Sequence, residues 1–204
     1  MHQRRDLEKN TSPPPYKVIC ACDCAYSKEG NIQVCSSVLT RSDNFEIIEY
    51  AISKDTSPYK YIPGKFYLRE GEISIKTIKK LKNNFDLLLI NGHGKANVEG
   101  KGLATYIGEK LKVPTIGIAK ELLFGNFKEL GEKKGSKVPV IFKNKIIAYA
   151  IRTKDNVKPI FLSEGFCINL KNILDFINSL CLYRIPEPLR IAHILAKENL
   201  KTVL

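Results

Sequence analysis

Asp23 is the only acid in an otherwise apolar run, Val18-Ile19-Cys20-Ala21-Cys22-Asp23-Cys24. A carboxylate in such surroundings is costly unless it is hydrogen-bonded, paired or bound to a metal; an edge strand that turns it to water is the other arrangement open to it. Glu70 closes the segment YIPGKFYLRE, where Arg69-Glu70 reads either as a solvated ion pair or as a carboxylate held by the apolar residues before it. Farther along, the run Leu87-Leu88-Leu89-Ile90 ends in Asn91-Gly92-His93-Gly94. Ligands of open α/β sheets bind at the carboxyl ends of such strands. Glycines on both sides of His93 either admit a phosphate closely or form a turn that leaves the histidine exposed. The six cysteines, Cys20, Cys22, Cys24, Cys35, Cys167 and Cys181, contain no C-x-x-C pair and have no histidines at zinc-finger spacing. Residues two apart share a strand face, so the first three read as small buried hydrophobes with reduced thiols.

The elements that must position these residues follow from pattern. Strands are expected over 18–24, 31–40 and 45–53, joined by the short polar turns SKEGN and RSDN as antiparallel hairpins. After a loop with Pro58, Pro63 and Gly64, a helix is expected over 74–82 and a strand over 87–90. That strand lacks polar alternation, as one buried on both faces does. Helix 102–111, strand 115–118 and helix 119–123 come next, then a hairpin of 138–143 with 146–152 turning at Asn144. A strand over 159–163 and helices over 170–180 and 188–200 complete the chain. Three antiparallel strands followed by alternating strands and helices make a mixed α/β sheet, an order compatible with the ribonuclease H-like architecture.

The chain has 204 residues, 44% hydrophobic and 26% charged, which excludes a fibrous or wholly disordered protein. It reads as a mobile N-terminal arm over 1–15 and one domain over 16–204. No apolar run reaches the roughly 18 residues of a membrane span, and the first fifteen residues have no apolar leader core, so a cytoplasmic, membrane-free, monomeric protein is expected. Lys and Arg total 33 against 21 Asp and Glu, a net charge of +12 that suits a polyanionic partner. Lys128, Lys133, Lys134, Lys137, Lys143 and Lys145 cluster in the second half, where contact with that partner is expected.

The segments CDCAY (22–26), YIPGKFYLRE (61–70), DLLLINGHG (86–94), GLATYIG (102–108), VPTIGIAK (113–120), AIRTKDNVKPIFLSEG (150–165) and YRIPEPLRIAH (183–193), in this order, resemble the endonuclease V family. The resemblance runs from about Tyr16 to the C-terminus. It implies a ribonuclease H-like fold and Mg²⁺-dependent hydrolysis of a phosphodiester on the 3′ side of hypoxanthine in DNA or RNA, with Mn²⁺ as a substitute metal. Carried over by position, Asp23, Glu70 and Asn91 match metal ligands, and Asp23, Glu70, Lys120 and His93 match the catalytic group. Tyr61, Ile62, Pro63 and Gly64 match a loop that wedges into the helix at the lesion, and Gly92 matches a substrate-binding position. Hard cations prefer oxygen ligands, and carboxylates also offset the cation's charge so that phosphate can enter.

Two positions depart from that pattern. Asn91 replaces the third carboxylate by an amide, which can coordinate but brings no charge, and Phe166 is aligned with a histidine that follows Pro-Gly in many bacterial members. Asp86 lies about 17 Å from Asn91 along the strand, at ~3.3 Å per residue, and is too far to compensate. Glu99 and Glu164 are the nearer candidates. Two functions are therefore carried forward: a deaminated-base endonuclease with a weakened metal centre, and a non-catalytic nucleic-acid binder on the same scaffold.

Overall fold

In the computed structural model, residues 16–57, 62 and 64–202 are described. The arm 1–15 and the loop residues Tyr61 and Pro63 lie outside them. Eight strands form one mixed sheet: β1 (Val18–Tyr26), β2 (Ile32–Arg41), β3 (Ile47–Thr56), β4 (Leu87–Asn91), β5 (Thr115–Ala119), β6 (Lys137–Phe142), β7 (Lys145–Ile151) and β8 (Ile160–Phe166). Their order is β3-β2-β1-β4-β5-β8-β7-β6. β1, β4 and β5 run parallel at the centre, and antiparallel strands flank them on both sides. The expected opening meander and central buried strand are both present.

Each central strand buries both faces, and its alternate residues serve two cores. Cys20, Cys22, Cys24, Leu88 and Ile90 face α1 (Phe66–Ile78) and α2 (Leu103–Leu111). Ile19, Ala21, Leu87, Leu89, Ile116 and Ile118 face α3 (Leu174–Ser179) and α4 (Glu187–Lys201). The cysteines thus behave as packing residues. Cys22 and Cys35 bring their Sγ atoms to 3.4 Å as free thiols; the hydrogen bond with Cys35 and then burial raise the Cys22 pKa, and burial raises that of Cys35.

Three helical expectations need correction. α1 begins at Phe66, so Glu70 lies inside the helix, which ends at Ile78 rather than at residue 82. Gly71 marks a close helix crossing: a Cβ there would stand 2.6 Å from the Tyr106 ring of α2. Residues 120–123 form no helix; the carbonyls of Lys120 and Glu121 are taken by Arg184 and His93 instead of by amides one turn on. The helix expected over 170–180 is a 3₁₀ turn at Leu170–Asn172 followed by the short α3.

The loop after β4 is pressed onto the sheet. Gly94 donates its N–H to Ser163 Oγ at 2.8 Å, and Lys95 donates its own to the Glu164 carbonyl at 2.6 Å. A Cβ at Gly94 would lie 2.0 Å from that carbonyl oxygen, and one at Gly117 would lie 2.4 Å from Gly94 N. Backbone on backbone leaves nothing flexible to yield. Gly94→Ala is therefore expected to destabilise the protein by at least the ~1–3 kcal/mol typical of overpacking. Urea unfolding measures this, and an unchanged midpoint would refute the close packing.

Candidate active site

The parallel register of β1 on β4 pairs Cys22 with Ile90, and one step farther Asp23 meets Asn91. β4 ends there, whereas β1 continues to Tyr26, so the end of β4 is a notch reachable from both faces of the sheet. From the α4 side comes His193, whose Nδ1 donates to Asp23 Oδ2 at 2.8 Å. Asn91 Nδ2 donates to Asp23 Oδ1 at 2.8 Å, and the Cys24 N–H donates to the same oxygen at 2.9 Å. Asp23 is 5% exposed, and three N–H donors compensate its burial.

From the α1 side comes Glu70, which is 3% exposed. Its Oε1 accepts the Tyr26 hydroxyl at 2.5 Å, and the Arg69 guanidinium lies 3.9 Å above the Tyr26 ring. Burial pushes the Glu70 carboxyl up to about 8; the Tyr26 bond opposes this, and the charge of nearby Asp23 adds to it. Burial and Glu70 push the tyrosine hydroxyl far above its ordinary range, so it remains a donor.

Two cavities meet at Asn91 and Lys120. One, of about 290 Å³, is lined by Gly64, Phe66, Gly92, His93 and Leu103 among others. The other, of about 160 Å³, is lined by Asp23, Leu189, Arg190 and His193. His93 donates Nε2–H to the Glu121 carbonyl at 3.0 Å, and burial holds its imidazole below the usual range, leaving a neutral ring. Ile62 is exposed.

Of the residues singled out in the sequence, Asp23, Asn91 and Glu70 are brought together, and Asn91, Gly92, His93, Gly64 and Lys120 line the first cavity. Phe166 is not at this site. It pairs with Thr115 at the opposite end of β5 from Ile118, the partner of Asn91, and Lys112 Nζ lies 5.4 Å from its ring. The histidine of the notch is His193, 170 residues from Asp23 in sequence. The segment YRIPEPLRIAH contained it, but nothing local distinguished it from a helix-surface histidine. Glu99 lies among exposed loop residues, and the Glu164 carboxylate is turned to Lys95 Nζ at 3.0 Å and Leu170 N at 3.2 Å, so neither joins Asp23. Half of the expected basic cluster is also engaged elsewhere: Lys133 pairs with Asp155, Lys137 with Asp175, and Lys134 donates to the Cys181 carbonyl.

Among the described residues no group of three or more His, Cys, Asp and Glu side chains is arranged to hold a metal ion. The donor chemistry nevertheless fits a hard divalent cation. Burial, with the charge of Asp23 adding to it, raises Glu70, an imbalance that a cation would relieve, and Asn91 adds an amide group beside the two carboxylates.

A mixed sheet of this order, with acidic side chains gathered where the central parallel strand ends, defines a ribonuclease H-like α/β protein. The sequence model of the endonuclease V family matches residues 1–194. Endonuclease V of Dictyoglomus turgidum is 41% identical over 158 residues, 77% of this chain and 69% of its own length. The crystal structure of endonuclease V from Streptomyces avermitilis superposes with a TM-score of 0.87 at 28% identity, covering 94% of this chain and 85% of that one. At 23% identity the likeness to Ciona intestinalis endonuclease V is one of fold: its complex with a 24mer DNA containing an inosine followed by a ribo-adenosine has a TM-score of 0.81 and covers 93% and 88% of the two chains. The chain belongs to the endonuclease V family, a family of nucleases that hydrolyse phosphodiester bonds.

The raised Glu70 carboxyl has a consequence for stability. Between its ordinary value of 4.5 and about 8, the folded protein keeps a proton that the unfolded chain has released. In the absence of divalent cations, stability is therefore expected to be greatest below that window and to fall as pH rises through it. Glu70→Gln should flatten this decline. Thermal midpoints of both proteins across the window measure the effect, and parallel curves would count against it.

Proposed function

We propose that this protein is an endonuclease V-type nuclease that hydrolyses a phosphodiester on the 3′ side of hypoxanthine in DNA or RNA, with Mg²⁺ as the working metal and a centre weakened at Asn91. The observation that carries the reading is the convergence of Asp23, Glu70, Asn91 and His193 on the end of β4, with Lys120 beside them and an adjoining cavity. The Ciona intestinalis protein, of the same fold, was crystallised on inosine-containing DNA, and this supports the substrate class.

Asp23 and Glu70 would hold the metal, and Asn91 would contribute its amide oxygen in place of the N–H that now faces Asp23. The metal's contribution is to activate water and to offset charge on the departing oxygen. His193 orients Asp23 through its Nδ1 bond, and Tyr26 fixes the rotamer of Glu70. Lys120 places a positive charge on the scissile phosphate from the boundary of the two cavities. Gly92 and neutral His93 line the space for an extruded base, with Gly64 on the same wall. Tyr61 is assigned to stack where that base leaves the helix, an interaction worth ~1–3 kcal/mol.

One observation favours the non-catalytic binder. Asn91 gives Asp23 a neutral hydrogen bond where an aspartate would have imposed a second charge, so Asp23 is satisfied without any cation. Cleavage of an inosine-containing strand separates the two readings. The wild type is expected to cut slowly in Mg²⁺ and faster in Mn²⁺, which accepts less ideal coordination. Asn91→Asp is expected to tighten Mg²⁺ binding and raise cleavage by tenfold or more, ~1.4 kcal/mol, while losing stability when metal is withheld. Rapid wild-type cleavage in Mg²⁺ would show Asn91 to be an adequate ligand. Failure of both proteins to bind metal or cut would leave the binder reading standing.

A further inference from the structure

β7 and β8 pair only through Tyr149–Ile151 and Ile160–Leu162. Ahead of Tyr149, β7 stays with β6 out to Lys145 and diverges from β8, whose Glu164 carbonyl accepts instead from Lys95 in the loop after β4. Between the diverging strands is a cleft of about 810 Å³, larger than either cavity at the candidate active site. Buried Ala148 and Leu170 and half-buried Tyr149 line its interior, and exposed Lys95, Lys145 and Lys171 line its mouth. Glu164 is the acid of the cleft, and its carboxylate is occupied by Lys95 and by the Leu170 N–H. Lys145 and Lys171 have no ion-pair partner among the described residues.

The hairpin bordering the cleft alternates cations with apolar surface. Its turn, Lys143-Asn144, is left-handed at both residues. Lys143 Nζ lies 5.4 Å from the Phe142 ring, and Ile141 and Ile146 are 43% and 49% exposed. Polynucleotide surfaces are built this way, with cations for the phosphates and apolar or aromatic groups for the base faces. The cleft also adjoins the candidate active site. Gly92, His93 and Asn97 line the cavity assigned above to the base, whereas Lys95 and Gly100 of the same loop line the cleft, so that loop is the wall between them.

We infer that the cleft and hairpin tip bind the nucleic-acid strand beside the segment held at the active site, as a second and sequence-independent contact. The inference rests on the nucleic-acid reading above and assigns it a surface. An extended peptide laid along the unpaired edge of β7 is the other occupant such a cleft could take. Two unpaired lysines at the mouth, on a chain of net charge +12, match a phosphate backbone better.

The test is metal-free binding of fluorescent single strands, with and without inosine, over a range of salt. Lys145→Gln and Lys171→Gln are made singly and together; Lys79→Gln with Lys82→Gln, at the far end of α1 beside Leu111 and Val113, removes equal charge elsewhere. The cleft pair is expected to weaken both strands by the same factor, about tenfold, leaving the inosine preference unchanged. Its plot of log affinity against log salt should be shallower by about 1.4, at ~0.7 per phosphate contact on single strands. All four side chains are exposed, and matching thermal midpoints establish that the variants fold. Wild-type affinity and slope in the cleft pair, or an equal loss in the far pair, would overturn the inference and leave the proposed function intact. Equal wild-type binding of the two strands would refute the inosine preference, while a uniform loss in the cleft pair would still support the cleft. Absence of wild-type binding to either strand would overturn both.

Discussion

The hydrogen bond from Asn91 to Asp23 joins the ends of sequence segments that the parallel β1–β4 ladder lays side by side, and the geometry of the notch depends on it. Two aspartates at that spacing would repel and require a cation between them. An amide reverses the sign of the contact: its N–H satisfies one carboxylate oxygen, and His193 satisfies the other. The site is consequently organised by protein donors, three of which already engage the Asp23 carboxylate. On the proposed reading, recruitment of metal would be weakened by the loss of one charge and, separately, by competition from the amide.

Glu70 shows the opposite economy. It has the Tyr26 hydroxyl as a hydrogen-bond donor and no cation in its immediate grip, and burial beside Asp23 leaves its charged form disfavoured. Arg69 moderates this from across the tyrosine ring and does not neutralise it. One carboxylate is therefore compensated by three protein donors while the other has the Tyr26 hydroxyl. Such asymmetry is common where a fold stores electrostatic demand for function.

The loop after β4 links this chemistry to the wider surface. Because Gly94 and Gly117 let backbone lie directly on backbone, the loop is held against β5 and β8, with one side on the cavity lined by His93 and the other on the cleft beside β7. Its position is set by main-chain contacts, and Val98 and Glu99 at its crest are exposed.

By itself the sequence determined the strand order at the amino-terminal end, the buried central strand and, through seven ordered segments, the family; Asp23, Glu70 and Asn91 entered as a group only through that resemblance. The strands are local in origin: apolar runs and turn residues carry their meaning within about ten residues. α1 starts at Phe66, ahead of the expected residue 74, and Gly71 within it serves a close crossing with α2. Absence of a helix at 120–123 depended on Arg184 and His93 capturing carbonyls from distant parts of the chain. Only the tertiary structure decided that His193 belongs to the site and Phe166 does not, since one lies 170 residues from Asp23 and the other is set apart by its register opposite Thr115. Side chains converge through packing of whole elements, and no spacing along the chain encodes which ends of two strands will meet.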